Sequence, residues 1–508
     1  MTLANRAVSA SLFLFSCLTA ANAQQTRSPL LNQVDSLSTP KLSADLPVPS
    51  PENPVINNTP ELKRTNKMAY QLYNKQQDFD SHPDAKAVGY DVFPGAVPVT
   101  APRVTQTLTI PVHVGSQGYT DNLYIVQMRL HPTGLYIPAG EKVTISIKDA
   151  DIKRHLIARI GVHNDDVTHL DKFTRIPLNL TKNMVLWKKE TEVYSPYGGL
   201  LSIAVPDTST LKEINVTVKG AVKAPYFKLG ETGEKKWIAS IRNNPAPWAQ
   251  LATDNLILTV PSARIRKLDN PVKLMQFWDE VMNADADLAA IPKKRQHQEH
   301  IVVDSDVAHG YMFTTLDKIT VPNDKSCEWM LDEAFIRLHG SWGAFHELGH
   351  RHQYWPFEDY STQEVTVNLY TMYIYDKVLH QGMYRHEDME THEQVLAKIK
   401  AYLSSPTTNY NNWRRDPFLA LAMYIQLVEK FGWDAIKKVN TIYRETPKDQ
   451  FPANDQQKLD FRFATLCKAT NSNLSHFFEI WKIPVSATAK KRAESYKEWF
   501  PEELAAYK

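Results

Sequence analysis

Trp342-Gly343-Ala344-Phe345-His346-Glu347-Leu348-Gly349-His350-Arg351-His352-Gln353 decides the reading of this chain. The stretch has no proline, and the first one after it, Pro356, sets a stop, so a helix is expected to run from about Trp342 toward Trp355. Four positions separate His346 from His350, which on a helix places the imidazoles one turn apart on the same face, within reach of one ion. A hydrolytic zinc site needs about three protein ligands and one open position for water. Glu347, next to the first histidine, stands beside that open position, where a carboxylate can take a proton from zinc-activated water and pass it to a leaving amine. A chain of this composition yields about 0.03 such five-residue matches by chance, so the motif needs support from its surroundings.

The third ligand has to come from further along. No histidine follows at the spacing of metzincins, so a carboxylate on a second helix is expected, and Glu358, Asp359 and Glu364 are the nearby acids. Glu364 opens Val365-Thr366-Val367-Asn368-Leu369-Tyr370-Thr371-Met372-Tyr373, a run apolar enough to pack against the first helix. Ser361-Thr362-Gln363-Glu364 also reads as a capping box, a competing use for that glutamate. His352 lies six positions after His346, off the metal face, and reads as a residue behind the site or on the surface. His297, His300 and His309 have no compact metal spacing and read as ordinary histidines.

Outward from the motif, Pro271 to Ala290, Phe418 to Phe431 and Leu474 to Trp481 show helical spacing of apolar residues. From about Val104 to Val222 the period is two instead. Lys142-Val143-Thr144-Ile145-Ser146-Ile147 alternates polar and apolar, and Leu200 to Val205 and Ile214 to Val218 add further strands. Pro138-Ala139-Gly140 and Tyr197-Gly198-Gly199 punctuate them, as in a β-sandwich. Residues 24–103 contain Pro47-Val48-Pro49-Ser50-Pro51 and read as a Pro-rich linker or N-terminal arm, with a short helix from Glu61 to about Gln76. The fold class expected is multidomain α+β: a β-sandwich over 104–223, then a mostly α-helical zincin domain over 224–508.

The first residues read as an address. Leu12-Phe13-Leu14-Phe15-Ser16-Cys17-Leu18 is apolar and ends in the small-x-small pattern Ala21-Asn22-Ala23, as in a secretory signal peptide spanning 1–23. The run is shorter than the roughly 20 residues that span a bilayer. Lipidation at Cys17 is the alternative, and Phe15 suits it poorly. The expectation is export, periplasmic or secreted, with no integral membrane segment in the mature chain. Cys327 and Cys467 would then be the remaining cysteines, either bridged or as two buried thiols. The balance of 58 basic and 56 acidic residues gives no reason to expect nucleic acid as a partner.

These strings together resemble the enhancin-like, mucin-targeting metallopeptidases, the M-sixty family of gluzincins. Their signature is H-E-x-x-H, a variable gap and Glu, and here thirteen residues separate His350 from Glu364. Thr133 to Glu141, Tyr197 to Leu201, Pro247 to Leu251, Leu274 to Asp279 and Asn473 to Trp481 resemble other parts of the family, so the likeness runs from roughly 104 to 501. Gly310-Tyr311-Met312 departs from the family's Gly-Tyr-Pro turn.

The resemblance implies one Zn2+ held by His346, His350 and Glu364, with Glu347 as general base. It also implies a secreted endopeptidase that hydrolyses glycoproteins at or near O-glycosylated Ser or Thr. Gly198, Gly199, Trp342 and Asn368 are candidates for substrate contact. Their alternatives are a tight turn in the sandwich for the glycines, a buried aromatic for Trp342, and a hydrogen bond behind the metal for Asn368. Two other functions compete: a general zinc peptidase acting on any polypeptide, and a carbohydrate-binding adhesin on an inactive peptidase fold.

Overall fold

The structure is a computed structural model and describes residues 46–112, 128–206, 209, 211–295, 297–315, 317–359 and 362–508. The export signal, Cys17, the first part of the arm and Ser361 of the capping-box reading lie outside the described residues.

Alternating strands build the sandwich. Val143–Ile147 buries every second side chain, the pattern of a strand with one face on a core. The long strand Glu213–Lys223 pairs antiparallel with Val104–Pro111 and with Val143–Ile147, which in turn pairs with Glu190–Val193. At its end, Val222 and Lys223 cross to Tyr136 and Leu135 and join a second antiparallel group: Met128–Ile137, Gly199–Pro206, Ile157–Ile160 and Lys182–Val185. Ile145, Leu135, Ile160, Leu201, Ile203 and Val216 fill the space between the two groups.

Residues 46–103 differ from the expected linker. Their prolines do make extended turns, but aromatic side chains anchor the segment. Helix Pro60–Gln77, capped by Thr59, buries Tyr70 and Tyr73. Tyr70 donates to the Pro47 carbonyl at 2.7 Å and meets the Phe173 ring edge-on at 5.8 Å. Val55–Ile56 adds a two-residue strand beside Lys172–Phe173.

The second region opens with a sheet before it becomes helical. Six strands lie in the order Tyr226–Lys228, Trp248–Ala252, Leu256–Pro261, Glu299–Asp304, Ile319–Pro322 and Phe313–Thr314. Trp248–Ala252 and Glu299–Asp304 are buried at every position, so they lack the alternation that marks a half-exposed strand. The helices Pro271–Leu288, Trp342–His350, Gln363–Lys377, Pro417–Phe431, Trp433–Glu445 and Asp455–Thr470 follow. Gln363–Lys377 is buried at every residue from Val365 to Tyr375, which makes it the central helix of the region.

Cys327 sits in the core under the mixed sheet and Cys467 in the helical core, and both are free buried thiols. Burial pushes Cys327 up to about 12 and Cys467 up to about 11. Among the described residues, no helix is long and apolar enough to cross a membrane.

Candidate metal centre

The motif helix is Trp342–His350, shorter at its C-terminal end than the sequence suggests. His352 explains the early stop. Its Nδ1 donates to the Leu348 carbonyl at 2.6 Å, capping the last turn with a side chain. His352 is fully buried and so is no surface residue; its own carbonyl accepts from Tyr370 Oη and Arg444 Nη2, both at 3.1 Å. Arg351, next to it, pairs with buried Glu299 at 2.5 Å and donates to the Thr315 carbonyl at 2.9 Å.

The motif helix meets Gln363–Lys377 through Gly349. A Cβ there would stand 2.9 Å from both Cγ2 and the carbonyl oxygen of Val367, and 3.1 Å from Tyr370 Cβ. The missing side chain lets the two helices close, and that closeness carries Glu364 to the histidines. Helix Gln363–Lys377 starts after Thr362, which places Glu364 at its second position rather than the third position of a capping box. The Glu364 carboxylate points at the motif helix: Oε2 lies 3.3 Å from His346 Nε2 and 3.5 Å from His350 Nε2. Ligand atoms from these three residues all fall within 4.8 Å of one another, and they form the one such group of three or more among the described residues.

The hydrogen bonds behind the histidines determine which nitrogen faces forward. His346 Nδ1 lies 2.8 Å from Asn368 Oδ1, and the amide nitrogen of Asn368 donates to the Glu364 carbonyl at 2.9 Å. The oxygen of Asn368 is therefore the acceptor, and His346 carries its proton on Nδ1. His350 repeats the arrangement. Its Nδ1 lies 2.8 Å from Gln353 Oε1, while Gln353 Nε2 donates to the Gln363 carbonyl and to Thr366 Oγ1, each at 2.7 Å. Both imidazoles thus present an Nε2 lone pair toward an ionised carboxylate. Three electron-rich atoms aimed at one point repel unless a cation sits among them. Tetrahedral zinc ligands at about 2.1 Å from the ion stand about 3.4 Å from one another, which the observed spacings match. The residues present fit zinc.

The electrostatics agree. Burial works against charge on Glu364, yet the two imidazoles beside it hold its carboxyl far below the usual range, so positive charge is drawn to the point between them. Burial likewise opposes charge on His350, and Glu364 and Glu347 nonetheless raise its pKa.

Glu347 is buried on the same helix, and Thr314 of the edge strand Phe313–Thr314 reaches over to it. Thr314 Oγ1 lies 2.6 Å from Glu347 Oε2 and 3.1 Å from the Glu347 carbonyl. Thr314 and Gln353 were missed from sequence, although Gln353 ends the motif string and Thr314 lies two residues past the Gly310-Tyr311-Met312 turn. Gln353 lies three residues after His350, a spacing at which a chain leaving a helix can fold back on it.

The other expected residues divide. Asn368, 2% exposed, holds His346 and does not face a cleft. Trp342 stands one turn ahead of His346, half-buried among Tyr375, His386 and Phe418. Gly198 and Gly199 are buried in the sandwich turn; a Cβ on Gly199 would approach the Gly161 nitrogen to 2.5 Å. No contact brings either glycine to the metal ligands. Of the other acids, Glu358 is buried against Arg462 at 3.4 Å, and Asp359 accepts from Tyr410 at 3.0 Å.

A helix carrying H-E-x-x-H, a glutamate from the next helix and a mixed sheet alongside define a metallopeptidase class of fold. The chain belongs to the peptidase M60, enhancin and enhancin-like family: that family's model matches residues 220–482, and the N-terminal domain of M60-like peptidases matches residues 100–219. TRPM8 channel-associated factor 3 of Mus musculus is 32% identical over 436 residues, covering 83% of this chain and 45% of that protein. The chain spans less than half the length of the curated relatives it matches. A functionally unknown conserved protein from Bacillus anthracis str. Ames shares the fold with a TM-score of 0.65 at 22% identity, over 79% of this chain and 80% of that one. So does IMPa from Pseudomonas aeruginosa in complex with an O-glycopeptide, with a TM-score of 0.57 at 16% identity, over 80% of this chain and 52% of that chain.

Proposed function

We propose that this chain is an exported zinc endopeptidase that cleaves O-glycosylated, mucin-like proteins. The observation that carries the reading is the convergence of His346, His350 and Glu364 with Glu347 alongside. Zinc, when bound, supplies the Lewis acidity that polarises the scissile carbonyl and acidifies an attacking water. His346, His350 and Glu364 hold it. Glu347 takes a proton from water at its carboxylate and returns it to the leaving amine nitrogen as the peptide bond breaks. The glycan part of the reading draws on the family and on the structural relative solved with an O-glycopeptide.

Glu347→Gln keeps the shape of the side chain and removes the base. It is expected to abolish cleavage of a glycosylated mucin peptide while one zinc per chain remains by elemental analysis. Equal cleavage rates on the glycosylated and bare forms of one peptide would replace the mucin reading with a general peptidase. A second reading, a binding protein on an inactive peptidase fold, is favoured by curated relatives that are named for association with a channel. Zinc binding without cleavage of either peptide form would favour it.

A further inference from the structure

The sandwich and the mixed sheet meet along one continuous set of charges. Arg175 of the sandwich side forms a fully buried pair with Asp304, with contacts of 2.7 and 3.0 Å. The Thr174 and Arg175 amides donate to Asp306 at 2.7 and 3.0 Å. Lys318 reaches Asp165 at 2.7 Å, and Arg159 and Asn164 both reach Asp317, at 2.7 and 3.0 Å. His163 Nε2 donates to the Val303 carbonyl at 3.0 Å, and His169 Nε2 to the Ala308 carbonyl at 2.6 Å.

The sheet-side partners named above fall between residues 303 and 318, and Thr320 just beyond them donates to Asp165 at 3.1 Å. That stretch ends in the edge hairpin Phe313–Thr314 and Ile319–Pro322, which places Thr314 over Glu347. Arg351, at the end of the motif helix, holds the same hairpin through the Thr315 carbonyl. A hairpin at a sheet edge has one paired side and otherwise drifts. Here sandwich residues 159–175 hold it from one side and the motif helix from the other.

We propose that residues 159–175 of the sandwich act as a clamp on the 303–318 segment, and that through it Thr314 is a positioning residue for Glu347. The hydroxyl donates its proton to Oε2 of the carboxylate and holds it in one orientation, with Oε1 left to face the water that Glu347 deprotonates. Arg159 and Asp317 act at one remove, by fixing the hairpin. The Thr314 part rests on the peptidase reading; the clamp does not.

The test has two arms on the full chain. In the first, hydrogen exchange is compared between wild type and Asp317→Ala without substrate. Amides of 313–322 are expected to exchange about tenfold faster or more, while those of 417–445 stay unchanged. Unchanged exchange in the hairpin overturns the clamp. Asp317→Asn, which keeps the neutral hydrogen bonds, is expected to fall between the two and serves if the alanine variant unfolds.

In the second arm, Thr314→Val is expected to lower kcat about tenfold to a hundredfold with KM and zinc content unchanged, and Thr314→Ser to restore most of it. Wild-type kcat in Thr314→Val, with Glu347→Gln inactive, overturns the positioning role. A zinc-loaded wild type that cleaves neither peptide form removes the peptidase reading, and with it the role of Thr314, while the exchange arm still decides the clamp.

Discussion

The amides of Asn368 and Gln353 do for two histidines what spacing alone cannot. Four residues between His346 and His350 bring the rings to one face, with centroids 4.7 Å apart. Spacing leaves each ring free to turn and to carry its proton on either nitrogen. The carboxamides remove that freedom, because their nitrogens are already committed to the Glu364 and Gln363 carbonyls. Asn368→Ala is therefore expected to weaken zinc binding about tenfold to a hundredfold, measured by competition with a chromogenic chelator. Asn368→Asp keeps an acceptor and is expected to lose less. The ligand candidates were legible in the sequence because their chemistry is local: two histidines on one turn, and an acid at the start of the next apolar run. Asn368 was legible as a choice between two roles. Gln353 was not, since its role depends on the chain folding back once the motif helix ends.

Helices in register, rather than single side chains, bring Glu364 to the histidines. Gly349→Ala places a methyl group where Val367 and Tyr370 already stand. The expected result is a loss of about 1–3 kcal/mol in urea unfolding, with zinc affinity falling further than in an alanine substitution on the exposed side of Trp433–Glu445. At this scale the sandwich strands and the long helices could be read from period two and period 3.6. The mixed sheet could not, because strands such as Leu256–Pro261, buried on both faces, carry no alternation to read. The arm misled for the opposite reason. Its prolines describe backbone shape correctly, and its anchoring depends on Tyr70, Tyr73 and Phe93 finding pockets elsewhere in the fold.

The junction between sandwich and sheet adds a term that neither side has alone. His163 is buried there between the rings of Phe93 and Trp248, at 4.6 and 4.4 Å. Burial lowers its pKa to about 4, with Arg175 and Lys318 acting the same way against the opposing pull of Asp304. The folded form holds His163 neutral while the unfolded chain protonates it below about pH 6.5. Its stabilising contribution is therefore whole above that pH and is lost progressively as pH falls toward 4. Relative to His163→Gln, wild type is expected to lose about 1 kcal/mol per pH unit across that window in urea unfolding.

The same junction bears on how the molecule can be cut. A fragment of residues 220–508 contains the whole peptidase match and every ligand candidate. It would also leave Asp304, Asp306, Asp317 and Lys318 without the partners that Arg175, Thr174, Arg159 and Asp165 supply. Charges designed for an interior would then face water on an open surface, next to the strand that reaches Glu347. Such a fragment is expected to be recovered as aggregate, or as soluble protein with a molten sheet edge by near-ultraviolet circular dichroism. The family boundary at residue 219 marks where two sequence patterns meet, but it falls inside the strand Glu213–Lys223 and so is no seam along which the folded protein divides.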